Sequence, residues 1–137
     1  MSFERINPRD LAPARGFSHA VRSDRPVTIY LAGQTALDAD GKIIDGDIVA
    51  QFKQALGNLL RSLEAAGGQP TDLTTVTIYI VDMEAYLARV REIGAVWRTL
   101  AGIDYPAMAG VGVSRLWDIE ALVEVQGIAT IENVTIQ

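Results

Sequence analysis

One apolar stripe on a long helical segment constrains the fold of this chain more than any other feature. From about residue 47 to 66, apolar side chains recur every three or four positions, which places them on one side of an α-helix. The stripe consists of Ile48, Val49, Phe52, Leu56, Leu59, Leu60 and Leu63. Asp47 can cap the start of this helix, and Gly67 and Gly68 can end it. Because a one-sided helix must bury its stripe, the segment requires a second layer to pack against.

Five runs of alternating or β-branched residues provide that second layer. They lie at about residues 17–21, 27–35, 75–81, 105–113 and 122–131. The first two are separated by a Ser-Asp-Arg-Pro sequence typical of a turn, and we predict that they form a hairpin. A second helix is expected from about residue 84 to 101, where apolar and aromatic side chains, Tyr86 and Trp97 among them, again recur at helical spacing. Together these segments predict a two-layer α+β domain, with a mixed sheet of five to six strands packed by two helices.

The other face of this sheet is expected to lack cover. Alternation places Thr75, Thr77 and Tyr79 on one face of the central strand, and Gly110 and Gly112 are expected nearby. This arrangement would leave a mixed, partly apolar surface exposed in a monomer. Such surfaces commonly mark subunit contacts, so we expect an oligomer.

Composition argues against several classes of function. The 137 residues, of which 49% are hydrophobic, fit one compact domain that spans residues 1–137. The net charge of −5 and the lack of a Lys/Arg cluster argue against nucleic acid as a partner. No apolar run is long enough to cross a bilayer, and the N-terminus lacks the apolar core of a signal peptide. With no cysteine in the chain, we expect a cytoplasmic protein without disulfides or thiol chemistry.

The polar stretch at residues 38–42 partly resembles a calcium-binding loop. Asp38, Asp40 and Asp47 have plausible spacing, but the first ligand position would be Ala36, which has no side-chain oxygen. We therefore predict a tight turn and no metal site.

One carboxylate lies within the apolar strand near the C-terminus. Glu124 shares a face with Gln126, whereas Val123 and Val125 point the other way. A carboxylate embedded in an apolar strand is unusual, which makes Glu124 a candidate functional residue. The alternative is a structural glutamate at a sheet edge that pairs with an arginine. His19, the only histidine, is interpreted as structural.

Several short motifs resemble the RidA/YjgF family, whose members are also labelled translation-initiation inhibitors or L-PSP endoribonucleases. The motifs are Gly16–Val21, Ala32–Gln34, Glu64–Gly67, Tyr79–Met83 and the block from Tyr105 to Ala129. In this order they cover nearly the whole chain. The resemblance implies a chorismate-mutase-like α+β subunit that assembles as a homotrimer, with three ligand pockets at the subunit interfaces.

The resemblance also implies an activity, which is hydrolysis of reactive enamines and imines to a carbonyl product and ammonia without a cofactor. Glu124 lies where the family's water-positioning glutamate lies. Backbone groups around Gly33 and Ala109 would hold the substrate. An imine carbon is already electrophilic, so an oriented water and one proton-accepting carboxylate suffice for its hydrolysis.

The chain departs from the family at the expected substrate pocket. An arginine normally follows the Pro-Ala pair and binds the substrate carboxylate, but this chain has Met108 there. Four further pocket positions differ from the family, namely Phe17, Ala32, Glu84 and Gly110. The pocket is therefore expected to be roomier and more apolar. A small 2-imino acid is then a poor candidate ligand, unless Arg115 or Arg98 replaces the missing arginine.

Two functions remain open from the sequence. One is imine or enamine hydrolysis in an altered pocket, in which Met108 selects an apolar or carboxylate-free ligand. The other is a non-catalytic trimer that binds a small metabolite at its subunit interfaces and acts in regulation. Retention of Glu124 favours the first, and loss of the arginine favours the second. The chain offers no basic stripe or aromatic platform for the ribonuclease activity in the family's label.

Overall fold

The computed structural model describes residues 2–133, which form six strands and three α-helices. In chain order these are β1 (Phe3–Ile6), β2 (Ala20–Ser23), β3 (Val27–Gln34), α1 (Ile48–Ala65), β4 (Leu73–Ile80), α2 (Met83–Ala88), α3 (Val90–Ala101), β5 (Ala107–Gly112) and β6 (Val123–Ile131). A short 3₁₀ helix, Pro70–Asp72, precedes β4. Within this part of the chain, no helix combines the length and apolarity that a membrane span requires.

Four strands form one mixed sheet in the order β3-β6-β4-β5. Strand β6 pairs antiparallel with both β3 and β4, whereas β5 pairs parallel with β4. Helix α1 packs against β3, β6 and α3. The structure thus confirms the predicted α+β arrangement of a mixed sheet and helices. The sheet has four strands rather than five to six, because β1 and β2 form a separate two-stranded ribbon.

The core lies between α1 and the sheet, as the apolar stripe predicts. Phe52, Leu56, Leu59 and Leu63 all have relative exposures of 1% or less. They pack in one cluster with Val125 and the other inward-facing residues of the sheet. Burial of a side chain of this size stabilises a fold by about 1.5–3 kcal/mol. The apolar stripe therefore determines which face of the sheet is covered.

Both predicted ends of the first helix are confirmed. The Asp47 carboxylate accepts a hydrogen bond from the Ala50 amide at 3.0 Å, as an N-cap does. After the last helical residue, Gly67 has a φ of 94°, and the Gly68 amide donates to the Leu63 carbonyl at 2.9 Å. A left-handed glycine and a backward hydrogen bond of this kind end many helices.

The predicted hairpin between residues 17–21 and 27–35 is wrong. Strand β2 pairs with β1 in the ribbon, and β3 pairs with β6. Arg25, in the connection between β2 and β3, donates to the Asp72 carboxylate at 2.7 Å and to the Thr130 carbonyl at 3.2 Å. These contacts hold the connection at the end of the main sheet, so the two strands diverge. A turn composition predicts a reversal of the chain but not which strands pair across it.

The predicted second helix is divided into α2 and α3. The break is at Arg89, whose φ of −116° and ψ of 19° are not helical. Its guanidinium donates to the carboxylates of Asp47, at the start of α1, and Glu92, in α3. The hydrophobic pattern does not show this break, because apolar residues keep helical spacing on both sides of it.

The predicted tight turn at residues 38–42 is confirmed. The Asp38 amide donates to the Lys42 carbonyl at 2.8 Å, and the Asp38 carboxylate accepts from the amides of Asp40 and Lys42. That carboxylate is thus used within its own turn. Among residues 2–133, no three His, Asp or Glu side chains converge as a metal site would require.

The sheet face opposite α1 is not covered by a helix, and we call it the open face. The open face contains Thr75, Thr77 and Tyr79 of β4 together with Glu124 and Gln126 of β6. The β1–β2 ribbon reaches one end of the open face, where the hydroxyls of Ser23 and Thr130 share a hydrogen bond of 2.6 Å. An uncovered face with threonine and tyrosine side chains agrees with the sequence prediction.

The two glycines of β5 do not join the open face, contrary to our expectation. Gly110 pairs with Ile78 and Gly112 pairs with Ile80, and both isoleucines are buried on the helix side of the sheet. Alternation shows which residues of one strand share a face. It does not show which of the two faces turns toward the helices, and that depends on the register with β4.

The carboxyl group of Asp47 makes the stability of the fold depend on pH. The hydrogen bond from the Ala50 amide and the one from Arg89 hold the pKa of this carboxyl below its ordinary value of 3.8. A lowered pKa in the folded state stabilises the fold above the unfolded pKa, and that contribution is lost as the pH falls through the folded value. We expect Asp47→Asn, which keeps an N-cap but removes the charge, to lose less stability than wild type between pH 6 and pH 3.

The measurement is the free energy of unfolding by urea at both pH values. Asp10→Asn, which changes an exposed aspartate outside the helices, is the matched control and should behave as wild type. An equal pH dependence in Asp47→Asn and wild type would contradict the assigned role of Asp47.

Candidate functional site

Glu124 lies half-buried on the open face, where β6 runs between β3 and β4. Its neighbour on β4 is Tyr79. The backbone of Gly33, at the end of β3, lies directly against the Glu124 carboxylate. A Cβ atom placed on Gly33 would be 2.6 Å from Oε2 of Glu124, closer than any real side chain allows. The structure thus brings together two of the residues that the sequence singles out.

The Glu124 carboxylate makes no hydrogen bond or ion pair with any residue that the structure describes, while the chain's ion pairs lie elsewhere. This argues against the structural alternative, in which the glutamate pairs with an arginine. The nearby hydroxyl of Tyr79 donates to Gln126 at 3.0 Å instead. A carboxylate whose oxygens are unengaged can accept a proton from a bound water.

Other residues of the open face are strongly exposed. Tyr30 of β3 is 78% exposed, and Ala32 follows it on the same face. Ala109 of β5 pairs with Thr77 and therefore also lies on the open face. Next to Glu124 the open face has a depression of about 200 Å³, whose lining includes Tyr30, Thr77 and Gln126 but not Glu124. Within one copy of the chain, this depression therefore does not enclose the Glu124 carboxylate.

A cavity of about 340 Å³ opens on the helix side of the sheet, next to β5 and α3. Phe52, Ile78, Val90, Ile93 and Met108 form its apolar wall. Its volume falls within the range of small-molecule sites, roughly 300–1,000 Å³. We call it the cavity, and Met108 is the predicted pocket residue that lines it.

Five side chains with hydrogen-bond donors also line the cavity, namely Arg15, Tyr86, Trp97, Arg98 and Tyr105. The rings of Trp97 and Tyr105 stack with their centroids 6.2 Å apart. Burial raises the pKa of Tyr86 above its ordinary value, so its hydroxyl remains a donor at neutral pH. The cavity therefore combines apolar walls with several donors.

Glu124 and Met108 lie on opposite sides of the sheet. Glu124 pairs with Tyr79 of β4, and Met108 pairs with Val76 of the same strand. Residues three apart on a strand point in opposite directions, and Val76 is fully buried beneath the helices. A small ligand in the cavity of one copy therefore cannot reach the Glu124 carboxylate of that copy.

Three other predicted pocket residues do not line the cavity. Phe17 packs edge-on against His19 with ring centroids 5.1 Å apart, although the preceding Gly16 does line the cavity. Glu84 is exposed in the first turn of α2 and does not line the cavity. Gly110 is exposed on the outer part of β5. None of these three residues forms part of the cavity wall.

His19 has a structural role in one copy of the chain, as interpreted from sequence. Its Nε2 atom lies 2.7 Å from the Ala12 carbonyl, and its amide donates to Asn7. A carbonyl oxygen can only accept, so Nε2 carries the proton and the ring ties two loop segments together.

The two arginines considered as replacements for the missing one differ in position. Arg115 donates to the carbonyls of Leu116 and Trp117 in its own loop and does not line the cavity. Arg98 does line the cavity. Of the two, only Arg98 is placed to contact a ligand beside Met108.

Sequence reasoning missed Arg15, and it assigned Tyr86 and Trp97 only to the apolar stripe of the second helix. The available signal was the polar atom that each of these two aromatic residues places in an otherwise apolar stripe. For Arg15 the chain gives no local signal, because a loop residue without periodicity can be placed only by tertiary structure.

Comparisons with known proteins give a consistent result. Residues 8–131 match the model of a family described as Endoribonuclease L-PSP. A RutC family protein from Pyrococcus horikoshii is 35% identical, over 89% of this chain and 90% of the relative. The 2-iminobutanoate/2-iminopropanoate deaminase of mouse is 37% identical, over 73% of this chain and 70% of the relative. A Rid-family protein of unknown function from Yersinia pestis has a solved structure that matches with a TM-score of 0.86 and 34% identity, over 96% of this chain and all of that one.

The close approach of Gly33 to Glu124 predicts that a side chain at position 33 displaces the Glu124 carboxylate. In Gly33→Ala, the new Cβ would lie 2.6 Å from Oε2 and 2.8 Å from Cδ of Glu124, so the flexible carboxylate must move by roughly 1 Å to reach normal contact distance. We expect the fold to be retained and a crystal structure of the variant to show Glu124 displaced.

Gly57→Ala is the matched control, since a Cβ at Gly57 in α1 meets nothing within 4 Å. That variant should leave Glu124 in place and stabilise the helix, by about 0.5–1 kcal/mol. An unmoved carboxylate in Gly33→Ala would show that the Gly33 backbone does not approach the Glu124 carboxylate this closely.

Proposed function

This chain belongs to the Endoribonuclease L-PSP family, which includes the Rid and RutC proteins, and on that basis we propose that it hydrolyses a reactive imine or enamine. The products would be a carbonyl compound and ammonia. Several relatives that are 31–37% identical are named 2-iminobutanoate/2-iminopropanoate deaminases. The single observation in the structure that supports the same chemistry is Glu124, a half-buried carboxylate with no partner among the described residues.

The chemistry needs one water and one carboxylate. Water adds to the electrophilic carbon of the C=N bond while Glu124 accepts its proton. Glu124 passes this proton to the imine nitrogen, which gives a neutral carbinolamine. The carbinolamine hydroxyl then gives its own proton, through Glu124, to the amine nitrogen, the C–N bond breaks, ammonia leaves and the C=O bond forms. The glutamate is regenerated, so neither a metal nor an organic cofactor enters the balance.

We propose that each site forms between two copies of the chain, so that the ligand is bound at a subunit interface. Glu124 and the cavity lie on opposite faces of the sheet, so only the open face of a second copy can bring a Glu124 to the cavity of the first. Such a contact joins two different surfaces, and a heterologous contact closes into a ring when its rotation permits. A homotrimer of the chorismate-mutase-like type, which the family resemblance implies, is such a ring with three equivalent sites.

The composition of the chain supports imine hydrolysis over the ribonuclease activity in the family's description. The net charge is −5, and phosphate backbones are bound mainly through clustered Lys and Arg. The one histidine is engaged with the Ala12 carbonyl. A metabolite-binding protein without catalysis is the second candidate, and Met108 favours it because a thioether cannot replace the charge of an arginine.

Glu124→Gln should abolish most of the turnover. Removal of a general acid–base group typically costs a factor of 10²–10⁴, so we expect kcat to fall at least about 100-fold. The assay is ammonia release from freshly generated 2-imino acids with small and large side chains. Glu64→Gln, which changes an exposed glutamate at the end of α1, is the matched control and should retain wild-type turnover.

The results separate the two candidate functions. Wild-type turnover that persists in Glu124→Gln would contradict the assigned role of Glu124. Absence of turnover in wild type with every imino acid, together with turnover in Met108→Arg, would contradict the hydrolase proposal and support the binding protein.

A further inference from the structure

Every polar side chain that lines the cavity carries a hydrogen-bond donor. Arg15, Arg98, Trp97, Tyr86 and Tyr105 line it, and no Asp or Glu side chain does. Arginine and tryptophan can only donate hydrogen bonds. A ligand that satisfies such a site must bring acceptor oxygens, preferably charged ones, because charge-assisted hydrogen bonds are stronger than neutral ones.

Trp97 contributes its ring to the cavity wall. The residue is only 4% exposed, and its Nε1 atom is buried without a hydrogen-bond partner among residues 2–133. Because almost no surface of this atom is open to the cavity, a ligand there would contact the indole ring of Trp97 and not its N–H group.

Arg98 is positioned at the mouth of the cavity by its own helix. It lies one turn after Gly94, and helical side chains point back over the preceding turn. Its Nη1 atom would be 3.3 Å from a Cβ placed on Gly94, so the guanidinium extends across this glycine. Gly94 itself lines the cavity.

The guanidinium of Arg98 is also available for a ligand. The ion pairs of the described residues use Arg22, Arg25, Arg61 and Arg89, and none uses Arg98. Arginine binds carboxylates through two parallel hydrogen bonds, which lysine or a neutral side chain cannot reproduce.

We infer that Arg98 takes the role of the arginine absent at position 108, and that the ligand is a carboxylate with a bulky apolar, aromatic-sized side chain. Met108, Phe52 and Ile93 surround the side chain of this ligand, while its carboxylate lies at the cavity mouth against Arg98. This replaces the sequence expectation of a carboxylate-free ligand. Where this ligand is a substrate, the inference rests on the proposed function, and the substrate is then a large apolar 2-imino acid.

Binding of an unreactive probe tests the inference without turnover. The probe is 3-phenylpropionate, compared with its neutral amide, 3-phenylpropionamide, and with propionate, which lacks the ring. We expect wild type to bind 3-phenylpropionate more tightly than the other two, and Arg98→Gln to bind it roughly tenfold more weakly, with no change for the amide. Arg91→Gln, an exposed position on the same helix, is the matched control and should bind all three as wild type does.

Fluorescence can locate the probe. The chain has two tryptophans, and Trp117 is 92% exposed outside the cavity. In a Trp117→Phe background, any change in tryptophan emission on titration therefore comes from Trp97. We expect 3-phenylpropionate to change this emission at the same concentrations at which calorimetry detects binding.

The inference is overturned if wild type shows no binding of 3-phenylpropionate at millimolar concentration, if the amide binds as tightly as the acid, or if Arg98→Gln binds the acid as wild type does. Circular dichroism and unfolding temperature establish that Arg98→Gln is folded. The proposed hydrolysis fails separately, since its test is ammonia release and the role of Glu124. Arginine-dependent probe binding without any turnover would leave the ligand class standing and refute the hydrolase.

Discussion

Burial of one face of the sheet beneath α1 is the constraint on which the rest of the structure depends. Residues on a strand alternate between faces, so fixing Val123 and Val125 beneath the helix at 0% exposure also fixes Glu124 on the other side. A shift of β6 by one residue would bury the carboxylate in the apolar core, at a cost of several kcal/mol. The same packing that stabilises the fold thus places the candidate catalytic group on the open face.

The consequence is a division of the candidate site into two halves. One half is Glu124 with Gly33 on the open face, and the other is the cavity with Met108 and Arg98 on the helix side. Each half lacks what the other has: the first has a proton acceptor without an enclosure, and the second has an enclosure without a carboxylate. An assembly in which the open face of one copy meets the cavity of the next would join them, which gives oligomerisation a chemical role as well as a structural one.

Periodicity predicted the parts of this structure that depend on local sequence. It located α1 with both of its ends, and it placed Glu124 opposite Val123 and Val125. It failed where long-range contacts decide: Arg25 separates β2 from β3, and the register with β4 turns Gly110 toward the helices. The sequence analysis named position 108 and two candidate replacement arginines, but it could not show that Arg98 rather than Arg115 lies beside Met108, since α3 and β5 meet only in the folded chain.

The most direct test of a site shared between two copies is complementation of two inactive variants. Glu124→Gln removes the carboxylate, and Gly94→Phe fills the cavity with a phenyl ring. The two variants, each folded and inactive alone, are unfolded together in equal amounts, refolded, and assayed for ammonia release from imino acids. Random pairing of the two faces should restore about a quarter of wild-type activity, because that share of sites combines an intact cavity with an intact Glu124. Activity no greater than that of the separate variants would contradict a site formed between copies.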